Sequence, residues 1–73
     1  MINYYKILGL ENYASVAVVK SAYKKLIKQY HPDVSSDPDA EEMTRYLNLA
    51  KDFLGYQESK DNYDRQLKLA YLI

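Results

Sequence analysis

Residues 15–35 read SVAVVKSAYKKLIKQYHPDVS, and their pattern decides the fold. Ser15 carries a side-chain oxygen suited to cap a helix N-terminus. Apolar residues then recur at Val16, Val19, Tyr23, Leu26, Ile27 and Tyr30, with Ala22 at the edge of the stripe. That is the spacing of one helix face. A capping box would place Glu or Gln at position 18. Val18 stands there, so only half of that device is present, and Val18 itself falls on the polar side. Lys20, Lys24 and Lys28 stand four apart on that polar side, and Lys25 widens the row. Pro32 has no N–H and pushes His31 toward extended geometry, so the helix stops there. The stretch is an amphipathic helix that delivers His31-Pro32-Asp33 into a loop at its end.

The flanks extend this into an all-helical chain. Asn3 is placed to cap a short helix over Tyr4 to Leu8, which Gly9 ends by taking a left-handed conformation. Residues 10–14 are a loop. A third helix is expected to begin at Asp37-Pro38, an N-cap followed by proline at the first helical position. Asp39, Glu41 and Glu42 suit the positive end of its dipole, and no site is assigned to these acids. Ala40, Met43, Tyr46, Leu47, Ala50, Phe53 and Leu54 form its apolar stripe, Leu49 lies off it, and Gly55 stops it. A fourth helix starts near Gln57 or Glu58 and runs through Tyr63. Tyr63, Leu67, Ala70 and Tyr71 keep helical spacing toward the end. There is neither sustained alternation nor a hairpin-turn dipeptide, so no strand is expected. Two helices of similar length joined by a short loop should pack antiparallel, with their stripes facing and the loop at the hairpin tip.

Composition narrows the function. Seventy-three residues make one domain, and the chain has no cysteine, so disulfides and thiolate metal sites are excluded. Folding therefore rests on packing. Nine tyrosines against one phenylalanine suit a thin core close to water, and the tyrosines are read as core. Ten basic residues balance ten acidic ones, so the charge distribution matters more than its sum. The lysine row precedes Asp33, Asp37, Asp39, Glu41 and Glu42, which predicts a positive face beside a negative patch. No secretory leader is visible and the apolar end LKLAYLI is too short to span a bilayer, so a cytoplasmic protein with no membrane partner is expected. Leu67, Leu69, Tyr71, Leu72 and Ile73 imply a lid on the domain, a continuation of the chain, or a self-association patch; the continuation is favoured.

The segments NYYKILGL, SAYKKLIKQYHPDV, AKDFL and KDNYD together resemble the J-domain of the DnaJ co-chaperones, from about Asn3 to Asp64. The resemblance implies an antiparallel two-helix hairpin with a short N-terminal helix and a C-terminal helix. It assigns residues 1–65 to the J-domain, and 66–73 to an extension of the last helix or the start of a linker. It also implies docking on a DnaK-type chaperone ATPase of the seventy-kilodalton heat-shock class, whose ATP hydrolysis the domain stimulates. Docking then falls to Lys20, Lys24, Lys25 and Lys28, and triggering to His31, Pro32 and Asp33. The chain departs from the pattern at three places. Lys60 is followed by Asp61 where a basic pair is usual, Lys51 replaces a frequent aromatic, and Thr44 replaces a frequent Phe. No Gly/Phe-rich linker, zinc module or client-binding region accompanies these segments, so an excised domain is expected, with clients reached through regions outside it.

Other readings are weaker. By itself the tripeptide is also a helix-stopping turn, and a lysine row is also an ordinary solvated face. An enzyme would need a nucleophile, a base and an orienting group, and one histidine in a tip loop supplies no such set. One histidine among scattered carboxylates is not a metal site, and no cofactor is expected. A small helical nucleic-acid binder is disfavoured because the lysine row holds no Arg, Asn or Gln for base reading. A J-like adaptor that docks without stimulating is the remaining alternative.

Overall fold

The computed structural model describes residues 1–31 and 38–72. Four helices follow one another: α1 (Tyr4–Ile7), α2 (Val16–Tyr30), α3 (Ala40–Leu54) and α4 (Gln57–Tyr71). α3 is the centre, packing against α1, α2 and α4. α2 and α3 form an antiparallel hairpin, because later residues of α2 meet earlier residues of α3. Tyr23 donates to Asn48 Oδ1 at 2.6 Å, and the carbonyl of Tyr30 accepts from Thr44 Oγ1 at 3.1 Å. At 1.5 Å per residue each arm is about 22 Å long.

Local chemistry sets the boundaries. Asn3 Oδ1 accepts from the N–H groups of Tyr5 (3.0 Å) and Lys6 (3.3 Å), which opens α1. Gly9 at φ 70 turns the chain away after Leu8, as its position requires. Tyr13 at φ 69 is a bulky residue in the same left-handed region. Contacts of its ring help hold it there: its edge meets Tyr5 with centroids 6.1 Å apart, and the Lys68 ammonium lies 5.0 Å from its centroid. Ser15 Oγ accepts from the Val18 N–H at 3.3 Å, so the half capping box functions as an N-cap. Gly55 ends α3 for a different reason from Gly9. Its φ is −83, but a Cβ there would lie 2.5 Å from the Lys51 carbonyl oxygen, to which its own N–H donates.

The core is the meeting point of all four helices. Tyr5, Val19, Leu47, Ala50 and Leu54 are fully buried, and Tyr4, Leu8, Tyr63 and Leu67 complete the cluster. Tyr63 ties α4 to the N-terminus: its hydroxyl donates to the Ile2 carbonyl and accepts from the Tyr4 N–H at 3.0 Å. Beside it, Tyr5 donates to Asp64, whose other oxygen accepts from Lys60 Nζ at 2.8 Å. Burial and the bond to Asp64 push the Tyr5 phenol pKa far above its ordinary value. Burial also raises that of Tyr63, outweighing the opposing bond from the Tyr4 N–H.

Several expectations are corrected. α3 begins at Ala40, with Asp39 as its N-cap, so Pro38 lies ahead of the helix rather than at its first position. The first ladder bond runs from Met43 N–H to the Asp39 carbonyl, and Ala40 is buried, so the helix starts where its stripe reaches the core. Asp37 lies outside the described residues. Not every tyrosine is core: Tyr13, Tyr56 and Tyr71 are exposed, because their hydroxylated rings can cover a neighbour while staying wet. Phe53 is 42% exposed and packs by stacking flat on Tyr4 at 5.0 Å. Leu49, read as off the stripe, packs against the core, while Ala70 and Tyr71 of α4 face water. α1 ends at Ile7, with Leu8 as its C-cap.

Candidate docking face

The solvent face of α2 is a single row of cations. Lys20, Lys24, Lys25 and Lys28 are all exposed, while Val19 is buried and Tyr23, Leu26, Ile27 and Tyr30 are half-buried on the other side. The first turn of α2 contains no acid, and Lys28 lies in its last turn, where the dipole favours a positive charge. Among the described residues, no carboxylate lies within 4.0 Å of any of these four amines. Their charge is therefore directed at solvent, or at whatever approaches from it.

At the end of this row α2 stops on His31, which is exposed and extended (φ −58, ψ 131), as the following proline requires. Pro32 and Asp33 lie outside the described residues. The place where His31 emerges is set by Thr44. Its hydroxyl lies 2.8 Å from the Ala40 carbonyl in its own helix and 3.1 Å from the Tyr30 carbonyl across the hairpin. A threonine thus fastens the last turn of α2 to the first turns of α3. Sequence reasoning recorded Thr44 only as a departure; its signal was a hydroxyl facing a neighbouring helix end, which periodicity does not report.

Lys51 was also missed as part of this face. It comes from α3, yet its ammonium lies 5.2 Å from the Tyr23 ring centroid, beside the α2 lysines. The signal was a cation four residues after the buried Leu47, at the margin of the apolar stripe. Lys60 has the opposite fate. Its residue exposure is only 7%, because Asp64 one turn later neutralises it against the Tyr5 ring. The fourth helix therefore uses this lysine structurally and does not add it to the cationic face.

Among the described residues there is no group of three or more metal-ligating side chains, and no helix is long and apolar enough to cross a membrane. A helical hairpin with a cationic outer row ending in an extended tip residue defines an interaction module of the J-domain type. The chain belongs to the DnaJ domain family, whose model matches residues 3–64. It is 49% identical over 63 residues to the chaperone protein DnaJ of Rickettsia akari, covering 86% of this chain and 17% of that protein. It is 46% identical over 63 residues to the chloroplastic chaperone protein dnaJ A6 of Arabidopsis thaliana, covering 86% and 14%. With the chaperone protein DnaJ of Hydrogenobacter thermophilus it shares 42% over 66 residues, covering 90% and 18%. The chain thus spans less than a fifth of the length of these relatives.

Proposed function

We propose that this domain binds a DnaK-type chaperone ATPase and stimulates its ATP hydrolysis, without catalysing a reaction of its own. The observation that carries the reading is the exposed lysine row of α2 running to an exposed, extended His31, in a chain of the DnaJ family. Lys20, Lys24, Lys25 and Lys28 steer an acidic partner into register, since surface charge acts mainly on encounter and orientation. His31, Pro32 and Asp33 make the close contacts. Proline restricts the loop before binding, so less entropy is lost on docking. The histidine ring can donate and accept, and the aspartate can accept two bonds from an arginine. Stimulation follows if the domain binds the hydrolysis-competent state more tightly than the resting one, because equal affinity would shift nothing. In this reading residues 1–65 are the functional unit, and 66–73 are an extension of the last helix or the start of a linker.

A single-turnover ATPase assay on a bacterial DnaK tests this. The native chain should stimulate, and His31→Gln or Asp33→Asn should abolish stimulation at unchanged helicity. Lys24→Glu with Lys28→Glu should weaken docking chiefly at low salt, where surface charge is least screened. Stimulation by His31→Gln equal to that of the parent would remove the tripeptide from the mechanism. Tight binding with no stimulation by the native chain would favour a simple adaptor.

A further inference from the structure

The lysine row is not the edge of the cationic surface. Between the first half of α2 and the end of α3 lies a groove of about 230 Å³, lined by Lys20, Tyr23, Lys24, Lys51, Gly55 and Tyr56. Three lysines line it and no acidic residue does. Its walls are otherwise mainly apolar, from the two tyrosine rings and the lysine stems.

The groove is held by fixed parts. Tyr23 is tethered to α3 by its bond to Asn48, and the Lys51 ammonium rests over the Tyr23 ring. At the end of α3 Gly55 lies buried against the Lys51 carbonyl. Tyr56 follows with extended backbone and 59% of its surface exposed. On its far side Tyr56 borders a second, acidic depression with Asp52 and Glu58. A long polyanion laid across Tyr56 would run from three cations into two acids. A peptide presenting one carboxylate next to an apolar side chain would not.

We propose that this groove seats one carboxylate of an acidic protein segment among Lys20, Lys24 and Lys51, with the neighbouring apolar side chain packed on Tyr56. The docking surface then crosses from α2 onto α3. The occupant is taken to belong to the same chaperone partner, so the inference rests on the function proposed above. Charge complementarity selects the acid, and the size of the groove limits it to about one side chain and its neighbour. Lys51 acts here as a specificity residue, because an aromatic at its place would fill the same wall without the charge.

The test measures association and dissociation rates of the 73-residue chain with ATP-bound bacterial DnaK, at two salt concentrations. Lys51→Gln should slow association about fivefold at low salt and flatten the salt dependence, since charges at an interface rim act mainly on the on-rate. Tyr56→Ser should instead speed dissociation. Lys6→Gln, an exposed lysine on α1 outside the groove, should change neither rate, and circular dichroism should show all three variants folded as the parent. If the parent binds and stimulates but Lys51→Gln and Tyr56→Ser behave like it, the groove is not a seat and only the α2 row docks. If the parent itself neither binds nor stimulates, the proposed function fails first. Duplex DNA of 20 base pairs is the competing probe. Binding of it by the parent that Lys51→Gln abolishes would overturn the choice of a protein segment.

Discussion

Near α1 and α4 the hairpin buries Tyr5, Val19, Leu47, Ala50 and Leu54 completely, whereas toward His31 the residues Leu26, Ile27, Tyr30, Met43 and Tyr46 are only half-buried. At the base, four helices exclude water from one cluster. Toward the tip burial among the described residues is mostly partial: Ile2 and Ile7 border Met43 and Tyr46, and Ala40 at the start of α3 is buried. The base therefore carries most of the stability, and the tip is held in register by a few polar bonds such as that from Thr44 to Tyr30. If the tip is the docking surface proposed above, that surface can vary without dismantling the core. The cost is that the tip sits on the least stable part of the scaffold.

The contrast breaks most directly by truncating one leucine at each end. Leu47→Ala at the base should lose about 3–4 kcal/mol in urea unfolding, because a fully buried leucine leaves a cavity. Leu26→Ala toward the tip should lose about 1–2 kcal/mol, in proportion to its smaller burial. Equal losses would show that the tip is as tightly packed as the base. Asp64→Ala should follow closely, at about 3 kcal/mol, since it leaves the buried Lys60 ammonium without its partner. Replacing all three partners, Lys60→Met and Asp64→Leu with Tyr5→Phe, should recover most of the lost melting temperature, since Asp64 also accepts from the Tyr5 hydroxyl.

The next effect depends on pH and again belongs to the base. The phenols of Tyr5 and Tyr63 are both held above their ordinary value of 10.0. Both must ionise when the unfolded chain is taken above that value. Stability from this source is complete below pH 10 and is lost as pH rises above it toward the folded-state pKa values. Tyr5, whose phenol is held far above that value, contributes a slope of about 1.4 kcal/mol per pH unit, and Tyr63 adds to it in the same direction. Chemical denaturation between pH 9 and 11.5 measures this slope, and Tyr5→Phe should remove one share of it. The smallest effect belongs to the tip. Thr44→Val should cost about 1 kcal/mol or less globally. It should speed amide exchange in the last turn of α2 about fivefold, with α3 protection near Leu47 unchanged. Uniform acceleration across both helices would mean that Thr44 is part of the global fold and not a local fastener.

How much was legible in the sequence follows from which residues act locally. Asn3, Ser15, Gly9 and the 3.6-residue spacing of Val16, Val19, Tyr23 and Leu26 act within a few residues of chain, so the helices and most of their ends could be read. The lysine row was equally legible, because four-residue spacing by itself puts those amines on one face. The start of α3 was misjudged because Asp37-Pro38 fits local capping preferences, whereas the helix begins only at Ala40, after Asp39 and where the chain becomes buried. Lys60 and Lys51 have the same side chain and opposite fates, one buried on Asp64 and the other set over Tyr23. Asp64 stands one turn after Lys60, but the Tyr5 and Tyr23 rings that complete the two settings come from other helices.

Sequence by itself determined that the chain is helical, where α2 stops, and that His31 leaves it in extended form, since these depend on backbone preferences and on periodicity. Tertiary structure decided which tyrosines are buried, how Thr44 joins two helix ends, and that Lys51 of α3 stands with the lysines of α2. Those facts are contacts between residues 14 to 59 positions apart in the chain, and a one-dimensional pattern carries the faces of single helices but not the rotation at which two faces meet.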